Sequence, residues 1–360
     1  MKKIIFLIFI INTYLYCCTG ISINQNDFIL QARTIEYAES NLNSKLIISP
    51  KNKHFVSILP NTKKTGIEWN AKYGYVGISV IDDRFIAEGI NEAGLNAGLF
   101  YFPHYGSLEK YDQKHRAISI VDMQFVSYLL SNFKNIDEVK KGIKKIKIVN
   151  IAYDNDNNGL PTAHYRVADS DGKNIVIEII NNGEIKIYDN LVGVLTNSPD
   201  YEWHVKNLNN YVNLKSGNYS NFDINNHKIF SFGAGTGALG LPGDITPPSR
   251  FVRAFYMISS MPKMNNLDDL VKSAFHILNN FDIPIWIEYD KKYQNYIPKD
   301  LLSATQWTSV SVLKQKEFYY KTMNNAEIRK VDLNKIDFAN TKYQIINLDT
   351  NTSFKEITID

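Results

Sequence analysis

Cysteine is nearly missing: Cys17 and Cys18 are the only two in 360 residues. A chain that sheds the first of them on export keeps one thiol and closes no internal disulfide, so oxidative stapling is excluded. An excess of either charge is missing as well. Lys and Arg number 40 against 37 Asp and Glu, a net charge of +3, whereas phosphate-driven nucleic-acid binding wants a strongly basic domain. Long apolar runs are confined to one near the start, which excludes a polytopic membrane protein. The seven histidines form no H-x-x-x-H pair, and no second mature cysteine is available to them; neither a metal nor a cofactor is expected. No G-x-S-x-G elbow occurs either.

What is there reads as an ordinary globular composition, 44% hydrophobic, 12% aromatic and 21% charged. Such a chain can bury a sizeable core in one large domain or two medium ones. Lys2 and Lys3 precede an apolar stretch over residues 4–11, and Asn12 and Thr13 lead on toward Tyr16-Cys17-Cys18. This is too short to span a bilayer and has the order of a secretory signal peptide, with the scissile bond before Cys18. Residues 1–17 are therefore expected to be a signal peptide, residues 18–360 a single domain, and the location periplasmic or secreted. No membrane span is expected in the mature form.

Two readings of the exposed cysteine compete. In one, Cys17 or Cys18 carries a lipid and anchors a non-catalytic binding protein, although bulky Tyr16 stands where lipidation wants a small residue. In the other, Cys18 becomes an N-terminal nucleophile. An α-amine titrates near about 7.7–8.0 and a thiol near about 8.5, so the amine can serve as the thiol's general base. Only removal of the preceding peptide creates that amine.

After Cys18, alternating runs rich in Ile, Val and Tyr over 20–24, 28–33, 46–49, 55–59 and 75–81 predict strands of an antiparallel sheet. Helices are predicted over 118–133, 136–146 and 267–278, with Lys140, Lys141, Lys144 and Lys145 as a solvated face. A second β block covers 164–168, 174–180 and 184–188, with a turn at Asp169-Ser170-Asp171-Gly172, and a last strand pair covers 308–313 and 318–322. Strands and helices come in separate runs with no internal repeat and no long linker. That pattern predicts an α+β fold with antiparallel sheets.

Two motifs lose to plainer readings. Gly235, Gly237 and Gly240 satisfy G-x-G-x-x-G, but a dinucleotide site needs that pattern to open a helix. Here it runs into Pro242, Pro247 and Pro248, which predicts a loop shaping a pocket. Asp154, Asp156 and Asn158 with Gly159 match the first half of a calcium loop, but the twelfth position is Tyr165 where a bidentate Glu belongs. If the first two strands pair as a hairpin, Arg33 in Ala32-Arg33-Thr34-Ile35-Glu36 lies back beside Cys18. A guanidinium there favours the thiolate, and Glu36 is placed to orient the α-amine; the alternative is an Arg33–Glu36 surface pair.

Seven segments in order resemble the choloylglycine hydrolase family, which includes bile salt hydrolases and penicillin V acylases. They are Cys18-Thr19-Gly20, Ala32-Arg33-Thr34, residues 89–95 (GINEAGL), residues 193–199 (GVLTNSP), Tyr201-Glu202-Trp203-His204, residues 240–244 (GLPGD) and Ser249-Arg250-Phe251. The resemblance implies an N-terminal nucleophile hydrolase: a four-layer αββα fold, a homotetramer, and cleavage of linear amides through a thioester. By position it implies Cys18 as nucleophile with its amine as base, and Arg33 beside the thiol. Asn197 would be the side-chain oxyanion donor, the Tyr101 backbone N–H the second donor, and Arg250 part of the same charged cluster. Glu36 stands where the family has Asp, one methylene shorter. Two arginines beside one thiol are expected to hold its pKa down. Tyr101, where bile salt hydrolases tend to carry Asn, leans the substrate toward penicillin V-like or other small N-acyl amides, N-acyl homoserine lactones among them. Conjugated bile salts are the alternative. Phe100, Tyr101, Phe102 and Tyr105 offer an aromatic wall or core packing.

Overall fold

A computed structural model describes residues 18–60, 64–150, 162–350 and residue 357. The expected signal peptide and the first half of the calcium-like loop lie outside the described residues. Two large sheets dominate. Numbering their strands in chain order, the first seven are β1 (Cys18–Gln25), β2 (Phe28–Glu36), β3 (Lys45–Ser49), β4 (Tyr75–Val80), β5 (Asp82–Asn91), β6 (Asn96–Tyr101) and β7 (Ala163–Ala168). The rest are β8 (Asn174–Ile180), β9 (Glu184–Asp189), β10 (Val194–Leu195), β11 (Thr305–Val312), β12 (Glu317–Thr322), β13 (Arg329–Asp332) and β14 (Gln344–Asn347). The eight-stranded sheet runs β9-β8-β7-β6-β5-β4-β3-β14, and the six-stranded sheet runs β10-β1-β2-β11-β12-β13. Every pairing in both is antiparallel.

Helices cover the outer faces. α1 (Phe125–Asn132) packs on β5 and β6, and α2 (Ile136–Gly142) follows it. After α3 (Tyr201–Asn207), α4 (Pro247–Ser259) lies on β1 and α5 (Leu267–Leu278) on β2 and β11. The order of layers is helix, sheet, sheet, helix, as the α+β expectation with a four-layer αββα arrangement had it. Strands sandwiched this way are covered on both faces, which is why all eight residues of β11 are buried although Thr and Ser alternate with its apolar residues.

Two helix expectations need correction. The helix predicted from residue 118 begins only at Phe125, because Ser119–Val121 forms a short parallel strand with Lys147–Val149. A short apolar run buried on all sides has no periodicity to separate the two states. The prolines after the glycine motif do not all break helix: Pro247 and Pro248 open α4, at positions whose backbone N–H groups have no intrahelical partner anyway. The glycine motif itself holds only a single helical turn, Thr236–Ala238, and Gly235 takes a φ of +85°. It opens no helix that could carry a pyrophosphate.

Candidate active site

The β1–β2 hairpin aligns Cys18 with Ile35 and Gly20 with Arg33. Side chains alternate across a strand, so Cys18, Gly20, Arg33 and Ile35 share the face turned to the eight-stranded sheet. Thr19, Thr34 and Glu36 point the other way, toward α4 and α5. On the other edge of β1, Gly20 pairs with Leu195. Continuing that register by two residues brings Asn197 opposite Cys18.

The Cys18 backbone nitrogen donates to Asn197 Oδ1 at 2.7 Å. Arg250, in the first turn of α4, closes the group from the helix side. Its Nη1 donates to Cys18 O at 2.5 Å and to Thr19 Oγ1 at 2.8 Å, and its Nη2 donates to Asn197 Oδ1 at 2.8 Å. The other end of the Asn197 amide, Nδ2, donates to Tyr101 O at 2.8 Å. Phe102 N donates to Thr162 O at 2.7 Å, so in the antiparallel ladder the N–H and C=O of Tyr101 both point away from β7. β5 pairs β6 only over Asn96, Ala97 and Gly98, which leaves that side open to Asn197.

Arg33 reaches across the inter-sheet space. Its Nε donates to Thr34 O at 3.1 Å and its Nη1 to Ala87 O at 3.3 Å and to Leu99 O. It forms no pair with Glu36; its carboxylate is Glu88, at 3.8 Å, and both side chains are buried. The surface-pair alternative is thereby overturned. Glu88 also takes Arg166 Nη2 at 3.3 Å and Asn96 Nδ2 at 2.6 Å. Glu88, Gly98 and Arg166 form one row across β5, β6 and β7. Glycine is needed in the middle: a Cβ on Gly98 would lie 1.9 Å from Glu88 Oε2. The Phe100 ring receives both cations, with Arg33 Cζ at 4.1 Å and Arg166 Cζ at 5.5 Å from its centroid.

The electrostatics follow from these faces. Burial pushes the Cys18 thiol up from its ordinary value; the charges of Arg33 and Arg250 and a backbone hydrogen bond from Glu36 pull it down, and the Glu36 charge adds to the rise. The expected depressed thiol is therefore corrected, because desolvation of a fully buried sulfur outweighs two guanidiniums already engaged with carbonyls and amides. Burial likewise raises Glu36 to about 8 against the pull of Arg250, Thr34, Arg33 and Thr305. Its Oε1 accepts from Thr305 Oγ1 at 3.2 Å, and its Oε2 has no hydrogen-bond partner among the described residues. Between about pH 4.5 and 8 the folded chain keeps a proton that the unfolded chain loses, so stability falls as pH rises through that window. Glu36→Gln, neutral throughout, should flatten that slope in urea midpoints compared at pH 5 and pH 8; an unchanged slope would place the proton elsewhere.

The aromatic wall divides. Phe100 and Phe102 are fully buried, whereas Tyr101 is half-buried and Tyr105 is 48% exposed. Of the four, only the two tyrosines have solvent-accessible side chains. Burial, with the nearby charges of Glu39 and Tyr37, raises the Tyr101 phenol to about 12, so it stays protonated. Sequence reasoning missed Glu88 and Arg166, although a charge inside a strand with apolar neighbours was a signal for both. It also left Thr305 and His204 without a role.

Comparison with known proteins agrees with this geometry. A family model described as linear amide C–N hydrolases, choloylglycine hydrolase family, matches residues 18–351. A bile salt hydrolase/transferase from Clostridium perfringens is 35% identical over 88% of this chain and 93% of its own length. A penicillin V acylase from Pectobacterium atrosepticum is 24% identical over 87% and 79%. The crystal structure of a mutant conjugated bile acid hydrolase from C. perfringens superposes with a TM-score of 0.76 at 30% identity, covering 95% of this chain and all of that one.

Proposed function

Since the chain belongs to the choloylglycine hydrolase family and is a linear amide C–N hydrolase, we propose that Cys18 is its nucleophile, freed by removal of residues 1–17 during export. The α-amine takes the thiol proton, and sulfur attacks the amide carbon. The carbonyl oxygen becomes an oxyanion facing the remaining Asn197 Nδ2–H and the Tyr101 backbone N–H. As the C–N bond breaks, the amine returns the proton to the leaving nitrogen and a thioester remains; water, deprotonated by the same amine, then releases the acid. Arg33 and Arg250 favour the thiolate, and Glu36 orients the amine. The observation that carries this reading is the Cys18 N to Asn197 Oδ1 bond at 2.7 Å with Arg250 bridging both residues. A lipid-anchored binding protein has no need of that arrangement.

Asn197→Ala should lower kcat by about 10²–10³, the usual consequence of losing one oxyanion donor. A kcat within threefold of wild type would remove Asn197 from the reaction. For substrate we propose small N-acyl amides of the penicillin V or N-acyl homoserine lactone kind, supported by the half-buried aromatic side chain of Tyr101, the residue whose backbone carbonyl accepts from Asn197. A conjugated bile salt is the second reading, favoured by the 35% identity to a bile salt hydrolase/transferase. Rates with penicillin V, a long-chain acyl homoserine lactone and glycocholate decide between them, and no hydrolysis of any would defeat both. We further propose a homotetramer, supported by an exposed hairpin, Phe222–Ile224 with His227–Ile229, followed by exposed Phe230 and Phe232. Such apolar surface suits an interface, and sedimentation velocity reads the state.

A further inference from the structure

Two histidines unused in that chemistry lie buried against the segment that carries Asn197. His164 Nε2 is 2.9 Å from Thr196 O, and His204 Nε2 is 2.9 Å from Asn197 O. A carbonyl oxygen only accepts, so each ring holds a proton on Nε2. Each ring also lies flat on a phenylalanine: His164 on Phe102 at 4.3 Å, and His204 on Phe251 at 4.6 Å, both at 9°. Phe251 follows Arg250 in α4, so the His204 ring ties the Asn197 backbone to the helix that also grips the Asn197 side chain.

We propose that His204 is a positioning residue for Asn197: its Nε2–H bond to Asn197 O, with the ring seated on Phe251, sets the backbone from which the Asn197 amide reaches Cys18 N and Tyr101 O. Only two side-chain torsions separate that backbone from the amide, so a shift of the peptide passes directly into the donor. A displacement of about 1 Å at a reacting group can cost on the order of 10²-fold in rate. The ring suits a permanent donor. Burial, with lesser contributions from His164 and Arg250, holds it near 4 against the pull of Asn197 O and Asp200, so it stays neutral across the working range. Its Nδ1 has no partner among the described residues, which leaves the bond to Asn197 O as its one polar contact there.

The inference rests on the reading that Asn197 faces the oxyanion, and the experiment separates the two. His204→Phe keeps a flat ring over Phe251 and removes the donor; His204→Gln restores an N–H at nearly the same place. With penicillin V, glycocholate and an acyl homoserine lactone as probes, His204→Phe should lower kcat about 10- to 100-fold with KM within about threefold, and His204→Gln should regain most of it. Alkylation of Cys18 by iodoacetamide builds no oxyanion, so its rate should stay within about twofold of wild type. A kcat unchanged in His204→Phe, alkylation falling in step with kcat, or no rescue by Gln would each overturn the inference. A wild-type enzyme inactive on all three probes defeats the functional reading instead. Should both variants fail to fold, ¹⁵N-histidine spectra of the wild type still decide: a neutral Nε2–H ring at pH 5–8 supports the assignment, and an Nδ1–H tautomer or protonation above pH 6 overturns it.

Discussion

Cys18→Ala should abolish amide hydrolysis, a loss of about 10⁴-fold or more, while the protein folds as before. The expectation follows from how many roles meet in one residue. The thiol faces the inter-sheet space while the backbone nitrogen of the same residue points at Asn197, so nucleophile and base are lost as a working pair when sulfur goes. Removing one member of such a unit costs nearly as much as removing all of it. The substitution deletes a single buried atom at a site 4% exposed, and stability should change by only about 1 kcal/mol. Steady-state rates together with a urea unfolding curve make the check. Residual turnover within a hundredfold of wild type would show that another group attacks the amide.

Glu88→Gln should be the most destabilising single change in the inter-sheet space, costing about 3–5 kcal/mol, as when one partner of a buried ion cluster is removed. Glu88 answers two buried guanidiniums, at 3.8 Å and 3.3 Å, and it has no substitute among the described residues there. Burial already holds Arg166 down at about 10, with the charge of Glu88 opposing that shift. Taking the carboxylate away leaves two cations in a space that water cannot reach. The amide keeps the volume, so the loss reports charge and not packing. Arg166→Met added to Glu88→Gln should cost less than the sum of the two single changes, because the second substitution removes a cation the first left unpaired. Chemical denaturation of the three variants measures this; a loss below 1 kcal/mol for Glu88→Gln would mean that the cluster is already screened. The Arg33 guanidinium belongs to the same cluster, so the active site and the core share one electrostatic support.

Most strands were legible because hydrophobic alternation and turn residues are local. The runs at 28–33, 174–180 and 318–322 lie inside β2, β8 and β12, and α5 spans 267–278 as its periodicity predicts. The six site residues carried over from the family pattern also lie in or beside the β1–β2 hairpin: Cys18, Arg33 and Glu36 on it, Asn197 and Arg250 bonded to Cys18, and Tyr101 bonded to Asn197. What failed locally was the start of α1, where buried apolar residues look alike as strand or helix, and α4, whose opening prolines read as a break.

The order of motifs, the hairpin that returns Arg33 beside Cys18 and the type of fold were determined by the sequence alone, since each depends on neighbours along the chain. The partner of Arg33, the burial that raises the thiol and Glu36, and the seat of Asn197 on His204 were decided only by tertiary structure. Those properties arise where two sheets and a helix from distant parts of the chain exclude water from the same space, and the cost of desolvating a charge is set by what surrounds it in three dimensions.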